Sequence, residues 1–151
     1  QADNPLRVVM SRSLDLPTAA NLWDVSEAQT LVFTEIDSNR EFQEYLRQKG
    51  VEVLETSTLT PAVVMSNLYD RGFLSVLWEC GGTLAARAIA DGTVQKIWAF
   101  IAPKIIGGET APSPVGDLGL TKMTEALELE NVSIRTVGCD YLLEGYLHQE
   151  K

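Results

Sequence analysis

The chain has 151 residues, of which 45% are hydrophobic and 22% charged, and its formal net charge at pH 7 is −9. This length is sufficient for one domain with a buried core, and the proportions are ordinary for a globular protein. The acidic excess argues against nucleic acid or an anionic membrane as a general partner. No apolar run approaches the roughly 18 residues that a membrane span requires.

The two cysteines and the single histidine limit the chemistry further. Cys80 and Cys139 lie far apart and lack metal-ligand spacing, so we expect free thiols in a reducing, cytosol-like compartment. With His148 as the only histidine, zinc catalysis and a Ser-His-Asp triad are poor explanations. We therefore expect no metal site.

The first part of the chain alternates apolar runs with amphipathic stretches. Short runs rich in β-branched residues predict strands at residues 6–10, 30–34 and 51–54. Such alternation of strands and helices is the pattern of an α/β fold with a largely parallel sheet.

Two helices are predicted in the same region. For residues 38–50, Ser38 and Glu41 have the spacing of a capping box, and a glycine ends the pattern. A second helix is expected to begin with Thr60 as N-cap, followed by proline at the first helical position, and to end at Gly72.

The central stretch is predicted to form a strand, a glycine turn, a helix and a second strand. Residues 74–78 are apolar and bounded by glycines, which predicts a buried strand. A helix is expected over residues 83–91, ended by Gly92, and a strand over Lys96–Ile101. This spacing is typical of a βαβ crossover, so the two strands are expected to lie parallel in one sheet.

That geometry gives Glu79 a candidate role. It follows the predicted strand at its carboxyl end, where open α/β sheets bind their ligands. Gly81 and Gly82 have no Cβ, so a ligand can approach the backbone, and the helix N-terminus favours an anion. The alternative is that the glycine pair is only a tight connection.

The last third of the chain has a different character. Residues 103–116 are rich in proline and glycine and predict a long loop, which in a compact domain is usually functional or mobile. Strands are then predicted at residues 126–130, 132–137 and 141–147, as an antiparallel meander added to the parallel sheet. Nothing marks a second domain, so residues 1–151 are expected to form one.

Four motifs together resemble one known family. They are WECGGTLAARAI, IAPKIIGG, PSPVGDLG and the opening PLRVVMSRSLDLP. In combination they resemble the reductase domain of the riboflavin-biosynthesis deaminase/reductase family, especially its plant and cyanobacterial members. The resemblance extends from Pro5 to about Leu147.

The resemblance implies a dihydrofolate-reductase-like fold, in which helices flank a mixed sheet and antiparallel strands follow at the carboxyl end. It also implies NADPH as cofactor and reduction of the ribose of 5-amino-6-(5-phosphoribosylamino)uracil to a ribityl chain. Glu79 would contact the substrate. The residues that would contact the cofactor diphosphate are Gly81, Gly82, Thr83, Leu84, Ala85, Ala86 and Arg87.

The turn after the first predicted strand is a second candidate cofactor contact. The family commonly has a serine where this chain has Arg12, so Ser11, Arg12 and Ser13 all stay candidates for the contact. A guanidinium there could bind a ribose 2′-phosphate through its bidentate fork. The alternative is a solvated loop.

Reductases of this family also carry an amino-terminal segment with most substrate contacts, and this chain starts after it. We therefore expect the carboxyl-terminal part of a reductase domain, and whether it is active alone stays open. The resemblance further implies a homodimer, with residues 141–147 as an edge strand, and a cytoplasmic protein, or a plastid one in a plant. Rival interpretations are a same-fold reductase with another substrate and a non-catalytic binding or dimerisation module.

Overall fold

The computed structural model describes residues 4–148. The chain divides into two compact units, Gln1–Leu59 and Thr60–Lys151. Each unit has its own sheet, and the two sheets differ in type: the first is parallel and the second antiparallel.

The first unit is a three-stranded parallel sheet with one helix. Its strands lie in the order β1-β2-β3, with Val8 opposite Leu31 and Val32 opposite Val53. Its elements in chain order are β1 (Arg7–Met10), a 3₁₀ turn (Asn21–Trp23), β2 (Thr30–Glu35), α1 (Arg40–Gln48) and β3 (Glu52–Thr56).

The core of this unit forms around the central strand. Leu31, Val32 and Phe33 of β2 are fully buried, because β2 has a hydrogen-bonded strand on each side and side chains packed over it. The rings of Trp23 and Phe42 meet edge to face with centroids 5.8 Å apart, an arrangement that aromatic pairs prefer.

The capping box expected at Ser38 is wrong. The N-cap of α1 is Asn39, whose side chain accepts a hydrogen bond from the Phe42 amide. The Ser38 hydroxyl instead forms a hydrogen bond with Thr34 Oγ1 at 2.8 Å and accepts one from Gln43 Nε2 at 3.1 Å. These buried partners engage Ser38, so the next residue caps the helix.

The second unit consists of two helices and a three-stranded antiparallel sheet. Its strands lie in the order β4-β6-β5. Its elements in chain order are α2 (Pro61–Asp70), α3 (Gly82–Ala90), β4 (Lys96–Ile101), a 3₁₀ turn (Met123–Glu125), β5 (Leu129–Val137) and β6 (Asp140–Leu147).

The start of α2 and the end of α3 agree with the local residues. The Thr60 hydroxyl accepts a hydrogen bond from the Val63 amide at 3.2 Å, with Pro61 as the first helical residue. At the end of α3, Gly92 has a φ of +67°, the left-handed conformation that glycine adopts without a steric penalty.

The strand predicted at residues 74–78 is wrong. This segment has no regular secondary structure, and the side chains of Leu74 and Leu77 are 92% and 67% exposed. Within residues 4–148 its backbone joins neither sheet, and a strand requires a pairing partner. The βαβ crossover is therefore also wrong: β4 pairs antiparallel with β6.

The carboxyl-terminal strands also differ from the prediction. The two strands expected at residues 126–130 and 132–137 are one strand, β5, interrupted by a β-bulge between Glu130 and Ser133. Asn131 lies in the bulge with a φ of +51°. The third strand, β6, lies between β4 and β5, so the expectation that residues 141–147 form a dimerisation edge is wrong.

The mixed α/β class predicted from the sequence is confirmed, with parallel strands in the first part and antiparallel strands in the last. Among residues 4–148, no helix combines the length and the apolar character of a membrane span.

Replacing Gln43 tests the buried network behind α1. Its side chain amide donates to Ser38 and to Glu55 and accepts from Arg47. Because Gln43→Met removes these hydrogen bonds at a site that is 2% exposed, we expect the free energy of unfolding to fall by about 1–2 kcal/mol. Urea denaturation measures this change.

The matched control is Gln48→Met, the same substitution at an exposed position of the same helix. It should change stability by no more than about 0.5 kcal/mol. Equal effects of the two substitutions would contradict a stabilising role for the buried amide.

Candidate functional site

A cavity of about 1160 Å³ lies within the second unit. Strand β4, residues 75–78, the first turn of α3 and residues 112–115 all contribute to its wall. Large apolar side chains dominate, among them Trp78, Trp98 and Phe100. A cavity of this size and character is suited to a planar organic group.

The amino end of α3 opens on this cavity. Its N-cap is Gly81, with φ −75° and ψ 166°, and no side chain caps the helix. The amides of Leu84 and Ala85 donate back to the Gly81 carbonyl at 3.1 and 3.0 Å. The amides of Gly82 and Thr83 precede the first helical hydrogen bonds and, with the helix dipole, favour an anion.

The two adjacent glycines have different surroundings. A Cβ on Gly82 would lie 2.5 Å from the Ser113 carbonyl oxygen, so packing within the chain requires glycine there. A Cβ on Gly81 would have no atom within 4 Å.

Gly81 differs in this respect from every other glycine of the chain. Each of the other ten, all within residues 4–148, has a positive φ or a neighbour within 4 Å of an added Cβ. Neither backbone conformation nor internal packing explains glycine at position 81. The space beside the amino end of α3 is therefore open at Gly81, and a ligand could approach the backbone there.

Only part of the predicted diphosphate-binding segment lines the cavity. Gly81, Gly82 and Ala85 line it, and the structure does not place Thr83, Leu84, Ala86 or Arg87 on its wall. Residues 112–115, Trp98 and Phe100 were missed as site residues, although the PSPVGDLG motif was a signal for the loop.

Glu79 is exposed and does not line the cavity, whereas its neighbours Trp78 and Cys80 do. The structure therefore does not bring the Glu79 carboxylate into the cavity with Gly81.

Cys80 is a half-buried free thiol on the cavity wall. Burial raises its pKa, because desolvation penalises the thiolate. The thiol is thus protonated at neutral pH, in agreement with a packing role rather than a nucleophilic one. Within residues 4–148 no cluster of three or more histidine, cysteine or acidic side chains is arranged to hold a metal.

The Ser11–Arg12–Ser13 turn lies in the first unit, at the carboxyl end of β1. Hydrogen bonds fix its backbone: the Ser11 amide donates to the Phe33 carbonyl at 3.0 Å, and the Arg12 carbonyl accepts from Thr34 Oγ1 at 3.0 Å. The Arg12 side chain is exposed, and its guanidinium makes no hydrogen bond or ion pair within residues 4–148.

These features define an α/β protein with an apolar cavity at the amino end of a helix. No side chain caps that helix, and its N-cap residue, Gly81, has no Cβ. Such an arrangement is typical of domains that bind a ligand with both an anionic group and an organic ring.

Residues 1–143 match the family model described as RibD C-terminal domain, and the chain belongs to this family. It is 55% identical over 97% of its length to riboflavin biosynthesis protein PYRR, chloroplastic, of Arabidopsis thaliana, of which it covers 24%. It is 57% identical over 95% of its length to riboflavin biosynthesis protein RibD of Synechocystis, of which it covers 39%. The chain thus spans about a quarter to two fifths of these relatives.

A more distant relative carries a reductase name. The 2,5-diamino-6-ribosylamino-4(3H)-pyrimidinone 5′-phosphate reductase of Aquifex aeolicus is 28% identical over 83% of the chain, which covers 57% of that protein. Among solved structures, RibD of Acinetobacter baumannii matches with a TM-score of 0.76 and 22% identity, covering 94% of this chain and 37% of that one. The dihydrofolate-reductase-like fold class is thereby confirmed, as is the resemblance to plant and cyanobacterial members.

Thiol reactivity tests the placement of the two cysteines. Because Cys80 is half-buried with a raised pKa and Cys139 is exposed, we expect iodoacetamide at neutral pH to alkylate Cys139 faster. Mass spectrometry of the single-cysteine variants Cys139→Ser and Cys80→Ser measures each rate separately. Faster alkylation of Cys80 than of Cys139 would place Cys80 outside the cavity wall.

Proposed function

We propose that this chain is the cofactor-binding part of an NADPH-dependent reductase of riboflavin biosynthesis. The proposed reaction is reduction of the ribose of 5-amino-6-(5-phosphoribosylamino)uracil to the ribityl chain. Membership of the RibD C-terminal family and the names of its relatives support this function. The observation that carries the proposal is the open space beside Gly81 at the amino end of α3.

In this proposal the backbone amides of Gly82 and Thr83 bind the cofactor diphosphate. Neutral amide donors suit a chain whose net charge is −9, because they attract an anion locally while the overall field repels it. Gly81 allows the diphosphate to approach the backbone. The remaining segment residues, Leu84, Ala85, Ala86 and Arg87, complete the helix turn that presents these amides.

The apolar cavity would accommodate the nicotinamide ring. Trp78, Trp98 and Phe100 on its wall offer aromatic surfaces for the ring. When bound, NADPH supplies the hydride, so the chain's task is to bind and orient the ring.

Glu79 is proposed as a substrate contact on the basis of family resemblance. Its exposed carboxylate is free to accept hydrogen bonds from ribose hydroxyls or from pyrimidine N–H groups. Ser11 and Arg12 are proposed as further cofactor contacts, with the Arg12 guanidinium binding the 2′-phosphate that distinguishes NADPH from NADH.

We also propose a homodimer and a cytoplasmic location, or a plastid location in a plant, as the Arabidopsis relative's name suggests. The outer edges of β4 and β5 pair with no strand among residues 4–148. Because β4 lines the cavity, β5, rather than β6, is the edge we propose for the dimer.

Substitutions at Gly81 test the anion site. Asp and Asn are both better N-caps than Gly, so we expect Gly81→Asp and Gly81→Asn to leave stability unchanged or raise it by a few tenths of a kcal/mol. Because only Asp adds a charge that repels the diphosphate, it should weaken NADPH binding about tenfold more than Asn. Quenching of Trp78 and Trp98 fluorescence during titration measures the affinity.

Thermal unfolding of both variants provides the stability comparison. Equal NADPH affinities of the Asp and Asn variants would contradict a diphosphate beside Gly81. A folded wild-type chain that binds neither NADPH nor NADH would contradict the function proposed here and favour a non-catalytic module.

Arg12→Ala tests cofactor discrimination. Loss of a charge-assisted hydrogen bond to the 2′-phosphate should weaken NADPH binding about tenfold and leave NADH binding nearly unchanged. The control is Arg40→Ala, which removes an exposed arginine of the same unit that is already paired with Asp37 at 2.6 Å. A parallel loss of NADPH and NADH affinity in Arg12→Ala would rule out recognition of the 2′-phosphate by Arg12.

A further inference from the structure

Residues 113–116 contact the start of α3 backbone to backbone. The Gly116 amide donates a hydrogen bond to the Gly82 carbonyl at 2.9 Å. A Cβ on Gly82 would lie 2.5 Å from the Ser113 carbonyl oxygen, and a Cβ on Gly116 would lie 3.0 Å from the Gly82 carbonyl oxygen. The loop and the helix thus approach each other as closely as two backbones can.

Packing alone explains the glycines in this contact. Neither Gly82 nor Gly116 is among the residues with positive φ. Both positions therefore accept alanine as far as the backbone conformation is concerned, and only the neighbouring chain excludes a side chain. The pair joins two segments that lie more than thirty residues apart in the sequence.

Two prolines constrain the loop backbone where it makes this contact. Pro112 and Pro114 fix the backbone φ on either side of Ser113, whose hydroxyl donates to the Val115 carbonyl at 2.6 Å.

We propose that residues 113–116 are a positioning element for the anion site at the amino end of α3. They hold Gly82 in place so that the Gly82 and Thr83 amides keep a common direction beside the open space at Gly81. This inference rests on the proposed function, since the anion is the diphosphate of the nicotinamide cofactor.

The direction of the Gly82 and Thr83 amides determines how tightly they bind an anion. A hydrogen bond weakens steeply when its angle departs from linearity, and two donors bind one anion well only when both are aligned. A shift of a few tenths of an ångström at Gly82 therefore lowers affinity for the diphosphate without opening the hydrophobic core.

Gly116→Ala is the decisive substitution. Its Cβ requires the Gly82 carbonyl to move slightly, whereas the lower entropy of the unfolded chain offsets the stability cost. We expect NADPH to bind about three- to tenfold more weakly, with an almost unchanged melting temperature. The matched control is Glu109→Ala, an exposed position in the same loop, which should leave affinity unchanged.

A ligand without the diphosphate separates positioning from general damage. Reduced nicotinamide riboside should bind Gly116→Ala and wild type equally, because it makes no contact with the amides of α3. An equal loss of affinity for NADPH and for reduced nicotinamide riboside would mean that the cavity itself is distorted. That result would overturn the proposal. Unchanged NADPH affinity in Gly116→Ala would overturn it as well.

Different NADPH-binding results would contradict the positioning role and the proposed function. If wild type does not bind NADPH, the function is wrong, and the positioning role with it. If wild type binds NADPH and Gly116→Ala binds it equally, only the positioning role is wrong. Gly82→Ala, with a closer backbone clash, should weaken NADPH binding more than Gly116→Ala does.

Discussion

The requirement that backbone amides and carbonyls find partners determines this structure more than any single side chain does. Each sheet is built around one strand with partners on both sides, β2 in the first unit and β6 in the second. Burial follows position: residues 30–34 of β2 are all buried, while β5, at an edge, is exposed from Glu130 to Val137. Residues 74–78, which join neither sheet, keep two leucines largely in solvent.

The same requirement separates what the sequence predicts from what it does not. The N-cap at Thr60 and the end of α3 at Gly92 follow from residues within one helical turn, and both were predicted correctly. The strand at residues 74–78 was predicted from apolar character alone, but pairing depends on a distant partner that local composition does not reveal. Ser38 failed as an N-cap for a related reason, because buried hydrogen bonds to Thr34 and Gln43 engage its hydroxyl.

Only part of the candidate site was predicted from the sequence. The difference between the predicted and the unpredicted residues has a physical basis. The helix N-terminus with its glycine pair is a local feature, so its position was apparent from the sequence. The contribution of residues 112–115 depends on the path of a long loop, which carries no periodic signal. The orientation of Glu79 was not predictable, because the segment before it joins neither sheet and no strand register fixes its side chain.

Gly81 and Gly82 are the same residue type in the sequence, but the structure gives them different surroundings. Gly82 must be glycine because the backbone at Ser113 and Gly116 occupies the space of a Cβ. Gly81 has no neighbour within 4 Å of an added Cβ and no positive φ. Neither packing nor backbone conformation within residues 4–148 therefore requires glycine at this position. Gly82 therefore serves the contact between loop and helix, and Gly81 borders open space. Because the two residues are adjacent, the loop that contacts Gly82 would, in the proposed function, also set the geometry of the amides that bind the anion.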